Sequence, residues 1–169
     1  MTLFSKDSID LLVFDFDGVL TDNRVYVLED GHEAVACNRS DGLAFDMFRA
    51  IHLSTLILST EKNPVVSARA KKLCVPVLQA VKNKRRTLIE HCASSSIDIK
   101  RVMFIGNDLN DISVMSCVGF PVAVFDAHPK VKELACTVLS TAGGQGVARE
   151  IAEKTLGLDY ITLTSLQNE

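Results

Sequence analysis

Leu11-Leu12-Val13-Phe14-Asp15-Phe16-Asp17-Gly18-Val19-Leu20-Thr21-Asp22 runs four apolar residues without interruption into two aspartates and a glycine. An apolar run of this length with no polar alternation has two faces to hide, as strands of a parallel sheet do. The same pattern recurs at Thr55–Leu58, Val75–Leu78, Val102–Ile105 and Val122–Phe125. Between these runs lie segments with helical spacing, at Gly42–Ala50, Pro64–Leu73, Lys84–Ala93, Asp111–Val118 and Pro129–Ala135. Pro64 and Pro129 suit the first turn of a helix, where a missing N–H costs nothing, and Asn63 and Asp111 suit its cap. Strand and helix in alternation imply right-handed crossovers and an α/β fold built on a doubly wound, Rossmann-like parallel sheet.

One segment breaks the alternation. Arg24–Leu28 and His32–Cys37 flank Asp30-Gly31, a turn signal, and predict a β-hairpin inserted at about residues 24–37. Residues 1–161 are expected to form one domain, with 162–169 a loose polar tail.

Composition narrows the class. Of 169 residues, 47% are hydrophobic and 23% charged, with a mean hydropathy of +0.20, which excludes a disordered chain. A net charge of -3 without a basic run argues against nucleic acid as a partner. Five cysteines with no C-x-x-C pair predict reduced thiols and a cytoplasmic setting, and Met1–Asp10 lacks the charged flank and apolar stretch of an export signal. No run approaches the ~20 apolar residues of a membrane helix.

The acidic residues gather at strand ends. Asp15 and Asp17 leave the first run, and Asn107, Asp108 and Asp111 leave the run at 102–105, about ninety residues later. The carboxyl edge is where this fold binds ligands, so the two groups share one crevice if their strands are neighbours. Carboxylates crowded together need a cation. An all-oxygen set with few protein ligands suits Mg²⁺, which keeps its waters and takes an oxygen from a substrate phosphate. Gly18 allows close approach of backbone to a phosphate, Ser59 and Thr60 add hydroxyl and N–H donors at another strand end, and Lys84 adds a positive charge. One aspartate can then attack phosphorus while a second protonates the leaving alcohol and afterwards activates water. Asp-x-Asp alone is commonly a loop pair and a lone lysine a solvated one; the joint placement at successive strand ends gives the motif its meaning.

These four motifs resemble those of the haloacid dehalogenase superfamily, whose usual members are Mg²⁺-dependent phosphatases, over Leu11 to about Leu158. The resemblance implies Asp15 as the nucleophile that forms an aspartyl-phosphate. It implies Asp17 as general acid/base, with its carbonyl on the metal, and Gly18, Ser59, Thr60 and Lys84 around the phosphoryl group. Asp108 would ligate Mg²⁺ beside Asp15 and Asp17, and Asp111 would hold Lys84 or the metal's waters, with Asn107 at a position where many members carry aspartate. About twenty residues separate Thr21 from Asp41, too few for the cap domain many members insert.

Among capless members, Asp15–Asp22, Arg39-Ser40-Asp41-Gly42, Gly106–Asp111 and Gly143-Gly144-Gln145-Gly146-Val147-Ala148-Arg149-Glu150 are similar to two groups of phosphatases. These act on 3-deoxy-D-manno-octulosonate 8-phosphate and on 2-keto-3-deoxynononate 9-phosphate. The same stretches are similar to the phosphatase-like domain of CMP-sialic acid synthetases. The second motif continues Thr60-Glu61-Lys62 rather than Gly-Arg, closer to the nononate and sialate branch. Asp41, Glu61, Arg69, Lys72 and Arg149 are the candidate substrate residues, with Arg149 and the glycine run expected around a substrate carboxylate. The resemblance further implies a homotetramer in which hairpins form a small barrel and a neighbour covers each site. A hairpin carrying Val25, Tyr26, Val27, Val35 and Ala36 is too apolar to stand alone, which independently favours pairing. The expected activity is hydrolysis of a keto-deoxy sugar acid phosphate; the rival is a non-catalytic assembly module attached to a CMP-sialate synthetase.

Overall fold

The computed structural model describes residue 4 and residues 6–165. Its strands are β1 (Leu11–Phe14), β2 (Thr21–Val27), β3 (Glu33–Cys37), β4 (Ser54–Leu58), β5 (Val77–Leu78), β6 (Val102–Gly106), β7 (Phe120–Ala123) and β8 (Thr137–Val138). The helices are α1 (Ser40–Ala50), α2 (Val65–Leu73), α3 (Lys84–Ser94), α4 (Ile112–Met115), α5 (Pro129–Leu134), α6 (Val147–Glu150) and α7 (Tyr160–Ser165). A 3₁₀ turn, Leu109–Asp111, leads into α4, and a π-helical turn, Ile151–Thr155, continues α6.

Six strands form one sheet in the order β5-β4-β1-β6-β7-β8, and every pairing in it is parallel. β1 lies at the centre, with Leu11 opposite Ser54 on one side and Val102 on the other. Its four side chains are buried on both faces, as their unbroken apolarity requires. Phe14 meets Phe45 and Phe48 of α1 at ring-centroid distances of 5.2 and 6.3 Å, which locks α1 over the start of the acidic loop. The β1–β6 pairing is the adjacency on which a shared crevice depends. No cap domain is present among the described residues.

The hairpin β2–β3 is a separate two-stranded sheet with an irregular register between Thr21 and Val25. Its outer half leaves Val25, Tyr26, Val27 and Leu28 between 52% and 69% exposed. It begins at Thr21, three residues before the expected start, because β2 continues directly from the acidic loop.

The remaining differences in element bounds have local causes. The strand expected at Val122–Phe125 lies at Phe120–Ala123, because pairing with β6 runs from Met103↔Phe120 to Gly106↔Ala123 and carries Phe125 out to solvent. The strand expected at Val75–Leu78 is only Val77–Leu78. The helix expected over Asp111–Val118 contracts to Ile112–Met115 after the 3₁₀ turn. Thr162–Ser165, expected to be loose, belongs to α7, whose Tyr160 and Leu163 pack against the core; residues 166–169 lie outside the described residues.

Candidate active site

The acidic loop leaves β1 with the Asp15 N–H donating to the Ile105 carbonyl at 3.0 Å, so the first aspartate stays in register with β6. Its Oδ1 accepts from the Phe16 N–H at 2.7 Å and lies 2.7 Å from Lys84 Nζ, leaving Oδ2 without a partner. Lys84 opens α3, whose cap is Asn83, with Oδ1 accepting from the Arg86 N–H at 3.0 Å. Although the lysine is only 2% exposed, its ammonium also reaches Asp111 Oδ1 at 2.7 Å. Asp111 is fully buried, and its Oδ2 accepts from the Asn107 N–H at 2.9 Å and the Asp108 N–H at 3.4 Å. Asp111 thus belongs to a buried Asp15–Lys84–Asp111 triad and also forms the return half of a capping box, accepting from the Asp108 N–H while Asp108 accepts from the Leu109 N–H at the start of the 3₁₀ turn.

Burial raises the Asp15 carboxyl to about 7, helped by the Asp111 charge and opposed by Lys84. Burial works to lower Lys84, but the charges of Asp15 and Asp111 outweigh it and hold the ammonium above its usual range. Asp17 is half-buried. Burial first, and then the Glu61 charge, raise its carboxyl against the pull of Lys84, with Glu33 adding to the rise.

A crevice of about 350 Å³ opens over these residues, lined by Asp15, Asp17, Asn23, Thr60, Asn107 and Asp108 among others. Ser59 sits buried at the end of β4, where its Oγ accepts from the Glu61 N–H at 3.0 Å, and Thr60 faces out beside it. Gly18 does not line the crevice. At φ +76°, it has a closer constraint than a phosphate, since a Cβ there would lie 1.9 Å from Asn107 Nδ2.

Among the described residues no cluster of three or more His, Cys, Asp or Glu side chains forms a metal cage. The donors nevertheless fit a hydrated hard cation. Asp15 keeps a carboxylate oxygen free, Asp108 stands exposed on the crevice wall, and Asn107 Oδ1 is buried without a partner.

The other candidates divide. Glu61 lines an adjoining cavity of about 280 Å³ together with Asp17, Asn23, Arg24, Glu33 and Asn63. Arg69 turns to the root of the hairpin, donating from Nη2 to the Asn38 carbonyl at 2.7 Å, with its Nε buried and unpartnered. Lys72, three residues along α2, points to solvent and lines neither cavity. Asp41 is buried at the start of α1, where Oδ1 accepts from the Ala148 N–H at 3.0 Å and the Arg149 N–H at 3.4 Å. Arg149 pairs with Glu153 at 2.9 Å. The glycine run expected to wrap a substrate carboxylate packs on the chain itself: a Cβ on Gly143 would lie 2.2 Å from the Gly18 carbonyl, and one on Gly144 2.4 Å from the Asp22 nitrogen. Asp41 thus ties α1 to the first turn of α6, and neither it nor Arg149 lines the crevice or the adjoining cavity.

Burial raises the Asp41 carboxyl to about 6, against the two amides and the Arg69 and Arg149 charges. A native carboxyl that binds its proton more tightly than the unfolded one loses stability as pH rises from about 4 to about 6, by about 3 kcal/mol here. Asp41→Asn is expected to remove that decline. Chemical denaturation at pH 4 and pH 7 should show the variant gaining on the parent protein as pH rises, and parallel profiles would exclude the effect.

Sequence reasoning passed over Asn23, Glu33 and Asn63. All three line cavities, but Glu33 lies on a hairpin expected only to assemble, Asn23 falls one residue before the expected start of that hairpin, and Asn63 carries only the signal of a helix cap.

Comparisons with known proteins bear on the family and the fold. Residues 52–151 match the model of the haloacid dehalogenase-like hydrolases. The 3-deoxy-D-manno-octulosonate 8-phosphate phosphatase of Salmonella typhi is 34% identical over 89% of this chain and 80% of its own length. A structure from Streptomyces avermitilis classed with the HAD family hydrolases superposes with a TM-score of 0.89 at 46% identity, covering 92% of this chain and 90% of the other. The octulosonate 8-phosphate phosphatase of Moraxella catarrhalis, solved with magnesium, phosphate and KDO, has the same fold at TM-score 0.87. It is 23% identical, covering 96% of this chain and 94% of that one.

Proposed function

Because the chain belongs to the haloacid dehalogenase-like hydrolases and is a phosphoric monoester hydrolase, we propose that its substrate is the phosphate ester of a keto-deoxy sugar acid. That class includes octulosonate 8-phosphate and nononate 9-phosphate. The observation that carries the chemistry is the buried triad: Lys84 at 2.7 Å from both Asp15 and Asp111 fixes one oxygen of Asp15 and leaves the other facing the crevice. The relative from Salmonella supports the sugar class. Glu61-Lys62 after the second motif keeps the nine-carbon substrate in the comparison.

In this reading the free oxygen of Asp15 attacks phosphorus, and the leaving oxygen takes its proton from Asp17, two residues along the same loop. Asp17 then accepts a proton from the water that opens the aspartyl-phosphate. The raised carboxyl of Asp17 suits a group that must enter the reaction protonated. Lys84 neutralises the nucleophile and the incoming phosphoryl oxygens, while Ser59 and Thr60 offer donors at the end of β4. Asp15, Asp108 and the Asp17 carbonyl would hold Mg²⁺, which supplies charge neutralisation at the phosphoryl group when bound. Gly18 acts through Asn107 by letting the loop close upon it.

A chain kept only for assembly has no use for three buried charges, whose desolvation opposes folding unless their pairing is complete. Purified protein is expected to release phosphate from octulosonate or nononate phosphate with Mg²⁺ and to lose that release on chelation. Release no faster than from Asp15→Asn would leave the assembly-module reading standing instead.

The exposed hairpin supports a homotetramer. Val27 and Tyr26 are 69% and 59% exposed, an apolar surface that two strands in isolation do not sustain. Sedimentation equilibrium should give four times the 18.5 kDa chain mass, falling towards one in Tyr26→Glu/Val27→Glu. A tetramer unaffected by both charges would place the interface elsewhere. No helix among the described residues is long and apolar enough to cross a membrane, and the five free cysteines support a cytoplasmic setting.

A further inference from the structure

The cavity beside the crevice is walled in part by the hairpin of the same chain. Asp17 and Asn23 line both spaces, so they form one continuous path from Asp15 past the acid/base position and along β2 and β3. An ester whose phosphorus sits at Asp15 has its leaving oxygen next to Asp17, and the chain attached to that oxygen has this cavity ahead of it. The polar groups there are mainly hydrogen-bond acceptors. Glu33 Oε2 accepts from Asn63 Nδ2 at 3.0 Å, leaving Oε1 without a partner. Glu61 Oε1 takes the N–H groups of Lys62 and Asn63, leaving Oε2 without one. Asn23 stands at φ +64° where the β2–β3 register is irregular, and its side-chain amide makes no hydrogen bond. An irregularity of this kind re-aims a side chain that regular pairing would send elsewhere. Among the described residues, Arg24 is the single cation on the wall.

Such a wall matches a chain of hydroxyl groups, each a donor for a carboxylate and an acceptor for an amide. It rejects an apolar leaving group, which would strand these polar atoms without partners. We infer that Glu33 and Asn23 are specificity-determining residues that read the hydroxyls of the leaving alcohol, with Asn63 positioning Glu33. The inference rests on the phosphatase reading above and assigns the hairpin a place in its own active site. The relevant positions are exposed, so their truncation leaves the core untouched, and Asn23→Gly keeps the backbone conformation while deleting only the amide.

Steady-state kinetics with Mg²⁺ on octulosonate 8-phosphate and on p-nitrophenyl phosphate test it in the purified 169-residue chain. The ratio of kcat/KM for the sugar ester to that for the aryl ester is expected to fall about tenfold in Glu33→Ala and roughly fivefold in Asn23→Gly, the size of one lost charged or neutral hydrogen bond. The fall should lie in KM for the sugar ester rather than in kcat. Glu33→Gln, which keeps an acceptor oxygen, should recover most of the loss, an outcome that a merely structural role for the side chain does not give. A parent protein that prefers the sugar ester while all three variants keep its ratio within about twofold overturns the inference alone. A parent protein that releases no phosphate from the sugar ester, or shows no preference for it, overturns the substrate reading and the inference with it.

Discussion

Asp15→Asn is expected to lower Mg²⁺-supported phosphate release by at least roughly a thousandfold, the scale on which removing a covalent nucleophile acts. The amide has the shape of the carboxylate and can still accept from the Phe16 N–H, so the loop should keep its course out of β1. It cannot form a stable bond to phosphorus. Burial already penalises the Asp15 charge, with the carboxyl raised to about 7, so losing that charge has a compensating side for stability. Calorimetry of the variant should therefore show a cooperative transition near that of the parent protein, which marks the loss as chemical. Retention of a tenth or more of the activity would exclude Asp15 as the nucleophile, whatever its burial.

Lys84→Met acts on stability as well as on turnover. The substitution leaves Asp15 and Asp111 facing each other in a buried site without the ammonium 2.7 Å from each. Removing one partner from a buried ionic group costs about 3–5 kcal/mol, or a fall in Tm of roughly 10 °C for a domain of this size. The penalty has a definite pH dependence. Without the lysine, Asp15 loses the charge that opposes its upward shift, so the native state binds its proton still more tightly than the unfolded chain does. Where the native state binds more protons, stability falls as pH rises, and the variant should be weaker at about pH 8 than at about pH 5. Equal penalties at both values would show that the aspartates are not the groups left uncompensated. Phosphate release should drop together with stability at pH 8 and stay low at pH 5, since a protonated Asp15 is no nucleophile.

The parts of this site visible in the sequence are those whose neighbours are fixed by the sheet. Asp15 and Asp108 follow unbroken apolar runs, and a run buried on both faces has only one place to go in a parallel sheet. Lys84 was legible because it opens a helix after a short strand. β8 was not, since two residues, Thr137 and Val138, carry no periodicity. Arg69 and Lys72 show a different limit. Three residues apart on α2, they share a helix side by spacing, yet one turns to the hairpin root and the other to water. What separates them is the Asn38 carbonyl, just after β3, which accepts from Arg69 and is out of reach of Lys72. Asp41 and Arg149 were read toward a ligand because a buried acid and a glycine-flanked arginine look the same whether they hold a substrate or a neighbouring helix. Here the partner of Asp41 is the N-terminal turn of α6, and that of Arg149 is Glu153. Glu33 lay in a segment whose apolar residues spoke only of association, and Asn23 just before it, where the sequence carries no strand signal.

The central position of β1 has a consequence for how the chain comes into being. Its two neighbours, β4 and β6, begin about forty and about ninety residues later, and no element adjacent in sequence pairs with it. The triad joins positions about a hundred residues apart, through a helix that lies between them in the chain. Long loops must close before any of these contacts gives a return, which makes such pairing slow compared with local structure. A growing chain therefore carries Asp15 unused until the segment holding Asp111, about a hundred residues later, has left the ribosome. Until then no partial fold can hold its carboxylate against Lys84 and Asp111. Under the proposed mechanism hydrolytic competence therefore arrives late and all at once, and a half-folded chain would have no active centre with which to attack the cell's phosphate esters.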